Sequence, residues 1–190
     1  MVQGKIVIIS GPSGVGKNTI IEALRADSSL DLKKVTTYTT REKREGEQEG
    51  RDHFYVDKKD FLALYDQGEI LEYNVYNQHY YGTPKTEIEK AFSEGGHPLL
   101  EIDVNGALTV KERFPEKTLL IFVKCEAEVL KRRLQMRGCH TDEAISERLE
   151  EAERELVLAE RYDHIVENID GKLEVALTAI KNILTKTLTK

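Results

Sequence analysis

Long apolar runs are missing from this sequence. The two longest, at 61–65 and 119–123, are five residues each, about a quarter of what a bilayer-spanning helix needs. The opening Met1-Val2-Gln3-Gly4 has no apolar secretory region either, so a cytoplasmic protein with no membrane contact is expected. Cysteine is nearly absent. Cys125 and Cys139 are the only two; they lack metal-binding spacing and cannot build a disulfide framework, so both read as reduced thiols. Positive charge is not in excess: 28 Lys and Arg stand against 34 Asp and Glu, a net charge of −6. That excludes the broad basic field of a general nucleic-acid binder, and leaves any phosphate ligand to local basic clusters. There is no internal repeat and no low-complexity tract, and 190 residues suffice for one domain with small insertions.

Glycine is ordinary in number, 13 residues, but three of them fall within six positions of one another. Gly11-Pro12-Ser13-Gly14-Val15-Gly16-Lys17-Asn18-Thr19 follows the apolar run Ile6-Val7-Ile8-Ile9 and precedes an amphipathic Ile20, Ile21, Leu24 pattern. This is the setting of a phosphate-cradling loop between a buried strand and a helix. Glycines let successive backbone N–H groups turn inward, the helix N-terminus faces the anion, and Lys17 can reach the outer phosphates.

Along the chain, apolar strands at 5–10, 98–103, 118–123 and 163–167 alternate with amphipathic helices at 17–26, 85–94, 127–137, 143–159 and 172–187. Alternation of this kind predicts an α/β fold, a mostly parallel sheet covered by helices on both faces. In the fourth helix Ile145, Leu149, Ala152 and Leu156 form a stripe expected to face the core. The segment 34–83 breaks the alternation and reads as an inserted, partly β subdomain, while 137–146 reads as a lid between core segments 1–33, 84–136 and 147–190.

The insertion holds the second chemically loaded cluster. Arg41 and Arg44 lie three residues apart in a glycine-containing loop; guanidinium forks suit phosphate oxygens, although a solvated mixed-charge hairpin would read the same way. Glu72 and the run His79-Tyr80-Tyr81-Gly82-Thr83 follow. Glu101 and Asp103 close the 98–103 strand on one side, by its period of two, where acids beside a phosphate loop suit magnesium and its waters or a substrate.

In this order, Gly11 to Lys17, Thr39-Thr40-Arg41, Arg44 with Gly46-Glu47, Glu72, Tyr80 to Thr83, Glu101-Ile102-Asp103, Arg133, Arg137-Gly138, Arg148-Leu149 and Asn168 resemble the guanylate kinase family over nearly the whole chain. The resemblance implies a nucleoside monophosphate kinase fold with a GMP-binding insertion and a lid, which phosphorylates GMP with ATP and magnesium as a monomer or a homodimer. It implies that residues 11–19 (Gly11, Pro12, Ser13, Gly14, Val15, Gly16, Lys17, Asn18, Thr19) bind ATP with Arg133, Arg137 and Asn168, the last beside the adenine. Arg41, Arg44 and Tyr81 would then hold the GMP phosphate, and Thr37, Glu72, Thr83 and Asp103 the guanine edge. Lys17, Arg41, Arg137 and Arg148 would be the catalytic cations, supported by Arg133.

Guanine offers an acceptor at O6 beside donors at N1 and N2, so a carboxylate with hydroxyl donors complements it, whereas adenine reverses the pattern. Two positions depart from the family. The magnesium-binding hydroxyl is replaced by Asn18, whose carbonyl is a hard oxygen ligand one bond longer, with Glu101 as a second ligand, directly or through water. The usual phosphate-binding tyrosine after Gly50-Arg51-Asp52 is His53, which can also donate to phosphate. Two other readings stay open at the sequence level: a kinase of this fold with a different phosphorylated acceptor, and a non-catalytic binding module.

Overall fold

The burial of β1 (Ile6–Ser10) is complete from end to end, which an amphipathic strand could not tolerate and a strand covered on both faces requires. In the computed structural model, which describes residues 4–136 and 141–188, this strand is the centre of a five-stranded sheet. The order is β2 (Leu32–Lys34), β7 (His97–Leu100), β1, β8 (Thr118–Lys124) and β9 (His164–Glu167). Every pairing is parallel, with Val7 opposite Leu99 and Leu119. Alternate residues of β1 feed two separate cores. Val7 and Ile9 meet Ile20, Ile21 and Leu24 of α1 (Lys17–Arg25) and Ala176, Leu177 and Ile180 of α7 (Leu173–Leu188). Ile6 and Ile8 meet Ile88 of α3 (Lys85–Ser93) and Val104, Ala107 and Leu108 of α4 (Val104–Arg113). The expected helices on both faces are thus present, and no helix of the described residues is long and apolar enough to cross a membrane.

A second, four-stranded sheet lies within the stretch that interrupted the alternation. Its order is β4 (His53–Tyr55), β3 (Thr37–Thr39), β6 (His79–Pro84) and β5 (Ile70–Tyr76). It also carries α2 (Lys58–Asp66), which the sequence reading omitted: Asp57 caps it by accepting from the Asp60 N–H, and Phe61 is fully buried.

Two expectations need correction. The strand expected over 98–103 stops at Leu100, so Glu101 and Asp103 are not on one face of a strand. Asp103 instead caps α4, its Oδ1 accepting from the N–H groups of Asn105 (2.9 Å) and Gly106 (3.1 Å). Gly106 inside that helix costs roughly 1 kcal/mol of propensity and hid it from a pattern reading. The stripe on α6 (Asp142–Leu158) also fails at one end: Ile145 and Ala152 are buried and Leu149 packs partly, but Leu156 is 47% exposed. The inward face continues through Glu155, because it borders a polar cavity rather than a hydrophobic core. Arg137 and Cys139 lie outside the described residues, as do 138 and 140. The rest of the expected lid is the capping Thr141 and the first turns of α6.

Candidate active site

A cavity of about 420 Å³ opens between the two sheets, lined on one side by the phosphate loop and on the other by the β3–β6 surface, with α6 closing its flank. Its loop wall is set by backbone conformation. Gly11, Gly14 and Gly16 have φ of 141°, 90° and 102°, and a Cβ on Gly11 would run into the Val123 carbonyl, so only glycine fits that turn without strain. Gly11, Pro12, Ser13, Gly14, Gly16, Lys17 and Asn18 all border the cavity. Lys17 folds over its own loop, Nζ donating to the carbonyls of Gly11 (2.5 Å) and Pro12 (3.0 Å). Val15 points away into the core, and its carbonyl accepts from Asn168 Nδ2 (2.8 Å) and Arg133 Nη1 (3.0 Å).

Arg133 also donates to Asp170 (3.1 Å). With Gly14, Gly16, Thr19 and Asn168 it lines a second cavity on the far side of the loop. The loop therefore borders two spaces, with Gly14 and Gly16 lining both and α1 starting at Lys17.

The opposite wall carries the base-sized chemistry. Glu72 on β5 is only 5% exposed yet faces the cavity. The Thr83 hydroxyl, fully buried on β6, donates to its Oε1. Burial, opposed by that hydrogen bond and reinforced by Asp103, pushes the Glu72 carboxyl up to about 7. Thr37, Tyr81 and Asp103 border the same space. So does His53, which stands opposite Thr37 in the parallel β3–β4 pair with its Nδ1 hydrogen-bonded to the Thr37 hydroxyl (2.8 Å). Burial first and Arg41 second lower its pKa. A neutral imidazole at neutral pH follows, so any contact it makes to phosphate lacks the added charge of a protonated ring.

Arg41 and Arg44 do not line this cavity. Arg41 is 8% exposed, and its guanidinium forks onto Glu47 (2.6 and 2.7 Å) and donates to the Glu42 carbonyl (2.9 Å). That pairing raises the Arg41 pKa and depresses that of Glu47, whose carboxylate also takes the Arg44 N–H (2.9 Å) and the Tyr55 hydroxyl (2.8 Å). Arg44 itself is exposed. Arg148, from α6, reaches the cavity and donates to Ser13 Oγ (3.3 Å) and to the Tyr76 hydroxyl (3.1 Å).

Four cavity residues were not singled out from sequence: Asn74, Tyr76, Glu151 and Glu155. Glu155 keeps a buried carboxylate oxygen with no hydrogen-bond partner, and burial, partly offset by Lys17, pushes it up to about 7. The signal for it was present. Arg148, Glu151 and Glu155 recur at helical spacing around Ala152, a charged stripe on the inward face that a search for apolar periodicity passes over.

As donors for a cation, Asn18 and Glu101 border the cavity beside Lys17. Among the described residues no group of three His, Cys, Asp or Glu could hold a metal ion. One or two hard protein oxygens beside a phosphate loop fit an ion whose remaining ligands are phosphates and waters.

The chain matches the sequence model of the family described as guanylate kinase over residues 3–187. It is 39% identical over 182 residues to the guanylate kinase of Oceanobacillus iheyensis, covering 96% of this chain and 87% of that protein. With the guanylate kinase of Gloeobacter violaceus it shares 41% identity over 180 residues, 95% of this chain and 86% of the relative. The solved structure of the guanylate kinase from Anaplasma phagocytophilum superposes with a TM-score of 0.77 at 31% identity, over all of this chain and 89% of that one.

Proposed function

The chain belongs to the guanylate kinase family, and from that premise we infer that it is a kinase that moves the terminal phosphoryl group of ATP onto GMP, giving ADP and GDP. The observation that carries this reading is a single cavity bordered both by the phosphate loop with Lys17 and by the buried Glu72, its partner Thr83 directly behind it. A phosphate site alone would suit any nucleotide enzyme. The acid and hydroxyl together select a base edge with paired donors, and leave adenine's edge unsatisfied.

The residue roles follow from that division. Glu72 in its ionised form accepts from the guanine N1 and N2 hydrogens, with Asp103 beside it and Thr37 and Thr83 as hydroxyl partners. Arg41, Arg44, Tyr81 and His53 serve the GMP phosphate; for Arg41 this uses the donors its Glu47 fork leaves unspent. ATP lies along residues 11–19, with Arg133, Asn168 and Arg137 on the adenine and phosphate side. Lys17 leaves the carbonyls of its own loop for the transferring group, where Arg148 and Arg137 neutralise the spreading charge. The chemistry asks the protein for alignment and cations rather than covalent steps.

Kinases of this family use a divalent metal with ATP. Magnesium suits Asn18 and Glu101, which would hold it directly or through water, and when bound it would neutralise charge on the phosphates of ATP. A different phosphorylated acceptor, or a silent binding module, gains no support from a site that keeps both Lys17 and the Glu72–Thr83 pair.

Two substitutions test the partition. Lys17→Ala should lower kcat at least about 100-fold while calorimetry finds GMP affinity within about twofold of the parent. Arg41→Lys should weaken GMP binding about tenfold, since an ammonium cannot copy a fork. Loss of GMP binding in Lys17→Ala, or unaltered binding in Arg41→Lys, would show the donor-side and acceptor-side residues wrongly assigned.

A further inference from the structure

In Arg148 of α6 one side chain joins the phosphate loop to the second sheet. Its Nη1 donates to Ser13 Oγ of the phosphate loop (3.3 Å), and its Nη2 donates to the hydroxyl of Tyr76 (3.1 Å). Tyr76 is the last residue of β5 and pairs with His79, the first of β6. Between them Asn77 and Gln78 have φ of 48° and 66°, the left-handed pair of a two-residue hairpin turn whose twist fixes the tip. A rigid hairpin of the acceptor-side sheet therefore delivers a phenol to an arginine on the donor side. Tyr76 is 44% exposed and borders the cavity, so core packing does not account for where it sits.

The chemistry of the two arginine clamps differs. Arg41 is gripped by the Glu47 carboxylate, which spends much of its charge, whereas Arg148 is held by two neutral oxygens. Neutral acceptors fix a guanidinium's direction and leave its charge for a phosphoryl group. We propose that Tyr76 is a positioning residue for phosphoryl transfer: its hydroxyl holds Arg148 toward the phosphate loop when the β5–β6 hairpin lies over the cavity. One catalytic cation is then aligned only while the acceptor-side sheet is in place, which ties transfer to the presence of the acceptor and away from water. This rests on the reading of Arg148 as a cation for the transferring group.

The test is a double-mutant cycle of Tyr76→Phe, Arg148→Ala and the pair, reading kcat, both KM values and the melting temperature. Tyr76→Phe should lower kcat about 5- to 10-fold, with both KM values within about twofold and an unchanged melting temperature. In the Arg148→Ala background the same change should cost nothing more. Wild-type kcat in Tyr76→Phe, or an equal further loss in the Arg148→Ala background, overturns the role of Tyr76 and leaves that of Arg148 standing. Wild-type kcat in Arg148→Ala overturns both.

Discussion

Replacing Glu72 with glutamine keeps the side chain's size and, through the amide oxygen, its ability to accept from Thr83, while it removes the charge and turns the other acceptor oxygen into an NH2 donor. Two consequences of opposite sign follow. The lost charge-assisted hydrogen bond to a guanine N–H is worth about 1.5–3 kcal/mol, so kcat/KM for GMP should fall by one to two orders of magnitude at pH 8. Stability should move the other way. In the folded protein the Glu72 carboxyl titrates at about 7 against an ordinary 4.5, so the folded state holds its proton more tightly than the unfolded chain does. Between those two values the folded state binds more protons, and stability contributed by this group declines as pH rises, levelling off above 7. At about 1.36 kcal/mol per unit the whole decline is roughly 3 kcal/mol, an upper figure for a group that can gain water. Glutamine has no such penalty. Thermal melts at pH 5.5 and pH 8 should show Glu72→Gln losing less stability than the parent on going to high pH, while coupled measurement of ADP formation shows it failing with GMP. An unchanged kcat/KM for GMP would refute the assignment of Glu72 to the base. A variant that melts well below the parent at pH 8 would refute the claim that a buried charge is being relieved.

Gly106→Ala puts a Cβ against the Glu72 carboxylate and beside Asp103; steady-state kinetics should show KM for GMP raised about tenfold and KM for ATP within twofold, despite better helix propensity. Asn18→Ser shortens the oxygen arm toward the metal. It should raise kcat with magnesium, narrow any preference for manganese, and leave KM for GMP alone, and parallel assays with the two metals check this.

What the sequence revealed and what it hid divide along physical lines. The phosphate loop was legible because strand, glycines, lysine and helix are local in sequence, and the parallel sheet because β1 and β8 carry the unbroken apolar runs Ile6 to Ile9 and Leu119 to Val123. Helix α4 was hidden by Gly106, which is present because Glu72 approaches that backbone from a strand more than thirty residues earlier. No local pattern encodes such a contact. Helix α2 was hidden by its place inside a stretch whose neighbours are strands, although its cap Asp57 was available to be read. Asp103 borders the cavity, but as the cap of α4 and not as a strand residue, because the apolar run that suggests a strand up to position 103 ends at Leu100. Glu155 leaves no mark on the apolar periodicity of α6, because it is a charged residue on that helix's inward face. Tyr76 was overlooked because its partner Arg148 lies 72 residues away. The link between them exists only once the hairpin turn has aimed the phenol.

Initial rates of ADP formation with ATP and magnesium across GMP, AMP, CMP and UMP decide whether the Glu72–Thr83 wall and the phosphate loop act as one site for phosphorylating GMP. The account predicts kcat/KM for GMP at least about 10³-fold above each of the others, since a base that mismatches buried polar partners leaves them unpaired. Comparable rates with AMP, or faster turnover with any other acceptor than with GMP, would contradict it.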